Sequence, residues 1–246
     1  MEKEIKIKTL DGHHIYGKMA GTARQPLFVI VHGLPGSMDE DLYLEATRWF
    51  ARHGYATFRF NLYGAEKDAR QLMDTTLEMH ASDIDAVVRY FRIKKSKRIF
   101  LVGHSYASPA ILLSKEQDFD AVVLWDPSYR VSFLNKRKGA SPVTYLKEIG
   151  GYVMPWGVNF VLGERMVDEA DALKWNTLTK GFHVPLKIVV AGKGPLIRGA
   201  EQYFKTANAP KDLIILKNAT HYFNDKDGMR EKLFKLSDGW FQKCLH

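Results

Sequence analysis

Short apolar runs recur along the chain at intervals that predict a large β-sheet. The central runs, at 27–31 and 99–102, are apolar at every position. This pattern is typical of parallel strands that are buried on both faces. We predict strands at 3–8, 13–19, 27–32, 55–60, 98–103, 120–125, 185–191 and 211–216, and the first two are close enough to form a hairpin.

Segments with helical periodicity lie between the later strands. Their apolar positions recur at i, i+3, i+4 and i+7, which places them on one face of a helix. These positions are Ile84, Val87, Val88 and Phe91 in one segment and Met229, Leu233, Leu236 and Trp240 in the last one. Thr75 and Glu78 have the spacing of a capping box at the start of the first segment. The alternation predicts an α/β fold, a mostly parallel eight-stranded sheet covered by helices on both faces.

The alternation stops between residues 127 and 183. We predict that this stretch is a small cap insertion within a single domain spanning 1–246. Four of its side chains, together with Trp125 at the preceding strand end, are candidates for contact with an apolar acyl or aryl group. The four are Tyr152, Met154, Trp156 and Phe160. Packing of these residues onto the core is the alternative interpretation.

The apolar run at 99–102 leads into Gly103-His104-Ser105-Tyr106-Ala107, and a helical segment follows. A serine at a sharp strand-to-helix turn is held in a strained conformation that exposes its hydroxyl. The turn needs small residues two positions before and after the serine, and Gly103 and Ala107 satisfy this requirement. We predict that Ser105 is a nucleophile; a capping or turn serine is the alternative.

A nucleophilic serine needs a general base and donors for the oxyanion. His221 follows the final predicted strand, where the chain order serine, acid, histidine requires the base. The backbone N–H groups of Leu34, in a glycine-rich turn after the third strand, and Tyr106 are the predicted oxyanion donors. An ordinary histidine and an ordinary glycine-rich turn are the alternatives.

Three short motifs, in this order over nearly the whole chain, resemble the α/β-hydrolase superfamily. They are His32-Gly33, Gly103-x-Ser105-x-Ala107 and Asn218-Ala219-Thr220-His221. Within the superfamily the chain looks like a small serine carboxylesterase, feruloyl-esterase-like or monoacylglycerol-lipase-like. The resemblance implies the α/β-hydrolase fold and a catalytic triad.

The acid of that triad departs from the family pattern. In the family it usually follows the strand before the last one, and here Gly194 stands in its place. Asp126 follows the strand at 120–125 and can reach the same histidine, because parallel strands end at one edge of the sheet. We therefore predict Asp126 as the acid. A turn aspartate before a proline, Asp225 or Asp227 as the acid, or the loss of the acid are the alternatives.

Composition and charge narrow the function further. The chain has 246 residues, a formal net charge of +8 and one cysteine, Cys244, so no internal disulfide is expected. Its basic residues are dispersed apart from short groups at 94–98 and 136–138, and no nucleic-acid motif accompanies them. The start has no apolar signal region and no run is long enough to cross a membrane, so a cytoplasmic location is expected. No metal or organic cofactor is expected. The sequence does not decide between a monomer and a homo-oligomer.

The expected reaction is hydrolysis of a small-molecule carboxylic ester through an acyl-enzyme intermediate. A thioesterase or a peptidase could use the same serine and histidine. A hydrolase-fold binding protein that has lost catalysis would also explain Gly194. A carboxylate in contact with His221 would distinguish the enzyme from the binding protein.

Overall fold

The computed structural model describes residues 2–22, 24–131, 133–134, 143–156, 158–225 and 228–245. The strands are β1 (Lys3–Lys8), β2 (His14–Ala20), β3 (Leu27–Val31), β4 (Ala56–Phe60), β5 (Ile99–His104), β6 (Ala121–Trp125), β7 (Thr144–Leu146), β8 (Gly151–Trp156), β9 (Val158–Gly163), β10 (Leu186–Ala191) and β11 (Lys211–Leu216). The helices are α1 (Asp41–Arg52), α2 (Leu77–Ile93), α3 (Ala107–Leu112), α4 (Glu164–Ala172), α5 (Ile197–Thr206) and α6 (Met229–Leu245), with short 3₁₀ turns at Leu72–Asp74 and Trp175–Thr177.

The eight predicted strands form one sheet in the order β1-β2-β4-β3-β5-β6-β10-β11. Their observed bounds agree with the predicted ones to within one residue at either end. β1 and β2 pair antiparallel as the predicted hairpin, and β2 also pairs antiparallel with β4. The remaining strands of this sheet pair in parallel, in the order β4-β3-β5-β6-β10-β11. The predicted fold class is therefore confirmed.

Side chains of the central strands alternate between two apolar layers. Phe28 and Ile30 of β3 belong to the layer covered by α1 and α6, whereas Val29 and Val31 face the layer that includes α2, α3 and α5. Because neighbouring residues of a strand point to opposite faces, a strand that is apolar at every position can fill both layers. The two layers hold the sheet between helices. Because the sheet is held in this way, the loops at the ends of its strands can adopt strained backbone conformations.

The start of α2 differs from the predicted capping box. The helix is capped by Thr76, whose hydroxyl accepts the Met79 N–H at 3.2 Å, and not by Thr75, whose hydroxyl donates to the Leu72 carbonyl at 2.7 Å. The Glu169 carboxylate of α4 accepts the N–H groups of the first two residues of α2 at 2.5 and 3.1 Å. A distant glutamate thus accepts free amides at the start of the helix, where local spacing had predicted Glu78 to act.

The segment between β6 and β10 contains a second, three-stranded antiparallel sheet in the order β7-β8-β9. The sequence did not predict these strands. The two-residue repeat places Tyr152, Met154 and Trp156 on one face of β8, with Phe160 of β9 paired to Met154. The capping contact of Glu169 connects this segment to α2 of the main body. The basic group at 136–138 lies outside the described residues.

Among the described helices, none combines the length and apolarity that crossing a membrane requires.

Candidate active site

Strand register aligns the loops that carry the predicted site residues. Gly103 of β5 pairs with Val31 of β3 on one side and with Leu124 of β6 on the other. Val189 of β10 pairs with Trp125 of β6, and β11 lies beside β10. Since these strands are parallel, the loops after them meet at one edge of the sheet.

Ser105 occupies a sharp turn between β5 and α3. Its φ angle is +53°, in a region that side-chain-bearing residues seldom adopt. Space around the turn is tight, because a Cβ added at Gly103 would lie 2.4 Å from the Ile111 side chain, and one at Gly33 would lie 3.1 Å from the Cβ of Ser105. The serine is strained and closely packed by its neighbours, as expected of a nucleophile's turn.

The Ser105 hydroxyl lies 3.2 Å from the Ser128 hydroxyl, within hydrogen-bonding distance. Ser128 also donates its N–H to the Ser105 carbonyl at 3.1 Å. Among the hydrogen bonds of the described residues, none joins Ser105 to His221 in this conformation. The sequence gave no signal for Ser128, because its contact with Ser105 depends on how the loop after β6 folds back.

Two backbone amides beside Ser105 are available to a ligand. Within the part of the chain that the structure describes, neither the Leu34 N–H nor the Tyr106 N–H has a hydrogen-bond acceptor. The flanking amides of the same loop are engaged, Gly33 with the Tyr43 hydroxyl at 3.0 Å and Gly36 with the Tyr63 hydroxyl at 2.9 Å. The loop is therefore held by two tyrosines while the Leu34 amide stays free to donate.

The structure brings Asp126 and His221 together. Asp126 is fully buried, and its carboxylate accepts the His221 Nδ1–H at 2.5 Å and the Ala191 N–H at 2.9 Å. A carboxylate only accepts when ionised, so this contact places the histidine proton on Nδ1 and leaves Nε2 unprotonated in the neutral ring. The pair has the geometry of a base oriented by an acid.

The other positions considered for the acid do not share the contact that Asp126 makes. The Asp225 carboxylate accepts the N–H of Thr220, the residue before His221, at 2.7 Å, and its other oxygen lies 3.5 Å from the Lys193 ammonium. Asp227 lies outside the described residues. A Cβ built at Gly194 would lie 3.7 Å from an oxygen of Asp126. The position where the family resemblance implies the acid therefore adjoins the Asp126 carboxylate.

A buried hydrogen-bond chain connects the three loops. The Tyr43 hydroxyl of α1 accepts the Gly33 N–H and donates to His104 Nδ1 at 2.9 Å, and His104 Nε2–H donates to the His221 carbonyl at 2.9 Å. Tyr43 and His104 are at most 1% exposed. His104 was visible in the sequence only as the variable residue before Ser105, because its partners come from distant segments.

Burial keeps three histidines neutral near this edge. Loss of hydration lowers the pKa of His104 to about 3, with a smaller contribution from His221, and burial lowers the pKa of His32 to about 4 and that of His80 to about 3. His32 Nδ1–H donates to the Gly33 carbonyl at 2.7 Å, while Nε2 accepts the Leu62 N–H at 3.0 Å. These bonds need the neutral ring.

The predicted substrate contacts divide into two groups. Trp125 is fully buried and donates its indole N–H to the Ser237 hydroxyl of α6 at 2.9 Å, so its assignment to a substrate wall is wrong. Although it precedes Asp126, its side chain points to the opposite layer of the sheet. Met154 is also fully buried and packs in the core, which corrects that assignment.

The three remaining candidates are aromatic residues of the small sheet. Trp156 is 42% exposed and lines a surface cleft. Phe160 packs edge-on against Trp156 with ring centroids 5.6 Å apart, and Tyr152 packs against Tyr145 with centroids 4.8 Å apart.

Among the described residues, no group of three or more histidine, cysteine or acidic side chains has a metal-binding arrangement.

Comparisons with known proteins agree with this architecture. The sequence matches the model of the alpha/beta hydrolase family over residues 28–231. No curated protein sequence matches it.

Solved structures share the fold at low sequence identity. Est1E from Butyrivibrio proteoclasticus, solved with ferulic acid bound, is 19% identical with a TM-score of 0.80, over 98% of this chain and 99% of that one. The esterase domain of a Rhodothermus marinus protein is 18% identical with a TM-score of 0.74, over 99% and 98%. Alpha/beta hydrolase domain-containing protein 10 from mouse is 17% identical with a TM-score of 0.76, over 98% and 99%. These similarities establish a shared fold.

The position of Gly194 allows a test of the acid. Asp126→Asn should reduce kcat about 10²- to 10⁴-fold, because an amide no longer fixes the histidine tautomer or stabilises the imidazolium. Adding Gly194→Asp should restore part of the activity, since the nearest atoms around a Cβ at 194 are 3.6 Å away and the backbone there needs no positive φ.

The matched control for this rescue is Asp126→Asn with Gly194→Asn, which adds the same bulk without the charge and should keep the reduced kcat of Asp126→Asn. Asp225→Asn should change kcat little. Activity of the Asp126→Asn protein equal to that of the wild type would contradict the assignment.

The hydrogen-bond chain predicts a catalytic effect of Tyr43→Phe. The change leaves the buried Gly33 N–H without its acceptor and His104 Nδ1 without its donor. We expect kcat to fall about 10- to 100-fold with little change in KM, because small displacements of reacting groups reduce the rate steeply. Tyr55→Phe is the control, since the Tyr55 hydroxyl bonds to Asp238 and Gln242 of α6. A stability loss in both variants without a difference in kcat would show a purely structural role.

The buried histidines predict a loss of stability in mild acid. The folded pKa values, about 4 for His32 and about 3 for His80 and His104, lie below the usual value of 6.5, so unfolding takes up protons below that pH. The free energy of unfolding should therefore fall as pH decreases from 6.5 towards 5, by up to about 1.4 kcal/mol per pH unit for each histidine. Urea unfolding at several pH values measures this slope. His80→Gln should make it shallower and the exposed His183→Gln should not; an unchanged slope in His80→Gln would contradict the explanation.

Proposed function

This chain belongs to the alpha/beta hydrolase family, and we propose that it is a serine carboxylesterase that acts through an acyl-enzyme on Ser105. The observation that carries the proposal is the contact of the buried Asp126 carboxylate with His221 Nδ1 at 2.5 Å, at the sheet edge where Ser105 sits in a strained turn. This contact favours an enzyme over a hydrolase-fold protein that only binds.

The reaction would begin when the Ser105 hydroxyl leaves Ser128 for the Nε2 atom of His221. His221 takes the hydroxyl proton as Ser105 Oγ attacks the ester carbonyl carbon. The amides of Leu34 and Tyr106 donate to the oxyanion of the tetrahedral intermediate. His221 then protonates the departing alcohol, and the acyl group remains on Ser105.

Water completes the cycle. His221 removes a proton from water, which attacks the acyl carbonyl, and the same two amides hold the second oxyanion. Collapse of this intermediate returns the proton to Ser105 Oγ and releases the carboxylic acid. The Asp126 carboxylate stabilises the imidazolium through its contact with Nδ1, and burial strengthens this electrostatic interaction.

Residues 127–183 act in this proposal as the cap, within a single domain spanning 1–246. The support is the separate small sheet between β6 and β10 and the exposed Trp156 on its last-but-one strand. An apolar aromatic surface of this kind suits an acyl or aryl group. Thioesters and amides could enter the same site and be cleaved by the same serine and histidine.

Short activated esters test the proposal. The protein should hydrolyse p-nitrophenyl acetate or butyrate, and a fluorophosphonate probe should label Ser105, because the probe reacts with serines activated by a neighbouring base. Mass spectrometry of the labelled peptide locates the adduct. Ser105→Ala should abolish labelling and hydrolysis. The control is Ser114→Ala, because Ser114 is a buried serine after the C-terminal end of α3 and its hydroxyl donates to Asp85. A folded wild-type protein that neither hydrolyses the esters nor reacts with the probe would overturn the proposal.

A further inference from the structure

A surface cleft beside the proposed reacting groups holds one acidic side chain among apolar neighbours. Its volume is about 480 Å³, and its walls come from the loop after β3, the small sheet and the histidine loop. The lining includes Pro35, Gly36, Glu40, Trp156, Val158 and Tyr222. Glu40 is the one charged side chain among the described lining residues.

Two residues that line the cleft directly follow proposed catalytic residues in the sequence. Pro35 follows Leu34, one of the proposed oxyanion donors, and Tyr222 follows His221. The Tyr222 ring lies 5.3 Å from the His221 ring, centroid to centroid. The cleft is therefore close enough to His221 to receive one end of a substrate whose carbonyl is bound at Ser105.

The apolar walls are open to a ligand. Trp156 and Tyr222 are 42% and 41% exposed, and Val158 is 60% exposed. Large apolar side chains that converge on one cleft are typical of ligand-binding sites. They indicate that the bound part of the substrate has substantial apolar surface.

Glu40 is poorly compensated within this cleft. Among the described residues no lysine or arginine pairs with it, whereas the nearby Asp39 and Glu45 do form such pairs. Its carboxylate lies over Gly36, where an added Cβ would be 2.5 Å from an oxygen of the glutamate. Burial raises the pKa of Glu40, because the charged form loses hydration, and a hydrogen bond from the Ser37 amide only partly opposes this effect. A hydrogen-bond donor of a ligand would replace the hydration that the Glu40 carboxylate loses.

We infer that Glu40 determines specificity in this cleft: it favours esters whose cleft-bound part is apolar and carries a hydroxyl or ammonium donor, and it disfavours esters that carry a carboxylate there. A carboxylate accepts hydrogen bonds and attracts positive charge, while two carboxylates at close range repel each other. The faces of Trp156 and Tyr222 add attraction for an ammonium group. This inference rests on the proposed esterase function.

Matched esters provide the test. Methyl phenylpropanoate is compared with its para-hydroxy, para-aminomethyl and para-carboxy derivatives, and a second series carries the same substituents on the alcohol side. In at least one series, kcat/KM of the wild type should be about tenfold higher for a donor-bearing ester, and about tenfold lower for the carboxy ester, than for the unsubstituted one. The hydroxyl and aminomethyl arms separate a neutral donor from a cation.

Substitution of Glu40 should remove this selectivity. In Glu40→Gln the differences between donor-bearing, unsubstituted and carboxy esters should shrink to within about threefold, because the charge is lost and the shape is kept. Glu201→Gln, at an exposed position of α5, is the matched control and should keep the wild-type order. Thermal unfolding shows whether each variant is folded.

The wild-type protein alone also tests the inference. The discrimination against the carboxy ester should decrease as salt is raised, because ions screen the repulsion between partly exposed charges. Equal rates for the carboxy and unsubstituted esters in the wild type, or an unchanged order in a folded Glu40→Gln, would overturn the role of Glu40 while leaving the esterase intact. Failure of the wild type to cleave any of these esters or p-nitrophenyl acetate would instead overturn the proposed function.

Discussion

The buried contact between Asp126 and His221 is the interaction on which the candidate site depends. A fully buried carboxylate is stable only when its charge is compensated by hydrogen bonds, and Asp126 receives them from His221 and from the Ala191 amide. The contact therefore connects the end of β6, the end of β10 and the loop after β11. It holds the histidine ring in one orientation at the edge where Ser105 lies.

Backbone strain and packing position the groups around this pair. Ser105 and Asp126 both have positive φ angles, +53° and +43°, at the ends of adjacent parallel strands. Such conformations persist only where the surroundings determine them, and here the central strands are fixed between two apolar layers. The Gly33–Tyr43–His104–His221 chain adds polar connections between the loops, with histidines that burial keeps neutral. The Asp126–His221 pair and the turn of Ser105 are consequently positioned by buried elements of the fold.

The sequence predicted those parts of the molecule that depend on local patterns. Continuous apolar runs located the eight strands, and small residues around Ser105 indicated the strained turn. The absence of an acid at 194 pointed to Asp126, and the structure places the two positions next to each other. Trp125 was assigned to the wrong side, because neighbouring strand residues face opposite layers. The small sheet, Ser128 and the Tyr43–His104 contact were not predicted, since each arises from tertiary packing.

The Nδ1–H proton shared by His221 and Asp126 offers the most direct measurement of the central interaction. Proton NMR of protein labelled with ¹⁵N-histidine should show a resonance far downfield of ordinary imidazole protons. The short bond to the carboxylate deshields this proton, and the burial of Asp126 protects it from exchange with water. The resonance should be absent in His221→Gln and should move strongly upfield in Asp126→Asn. A spectrum without such a resonance, or one that Asp126→Asn leaves unchanged, would contradict the account.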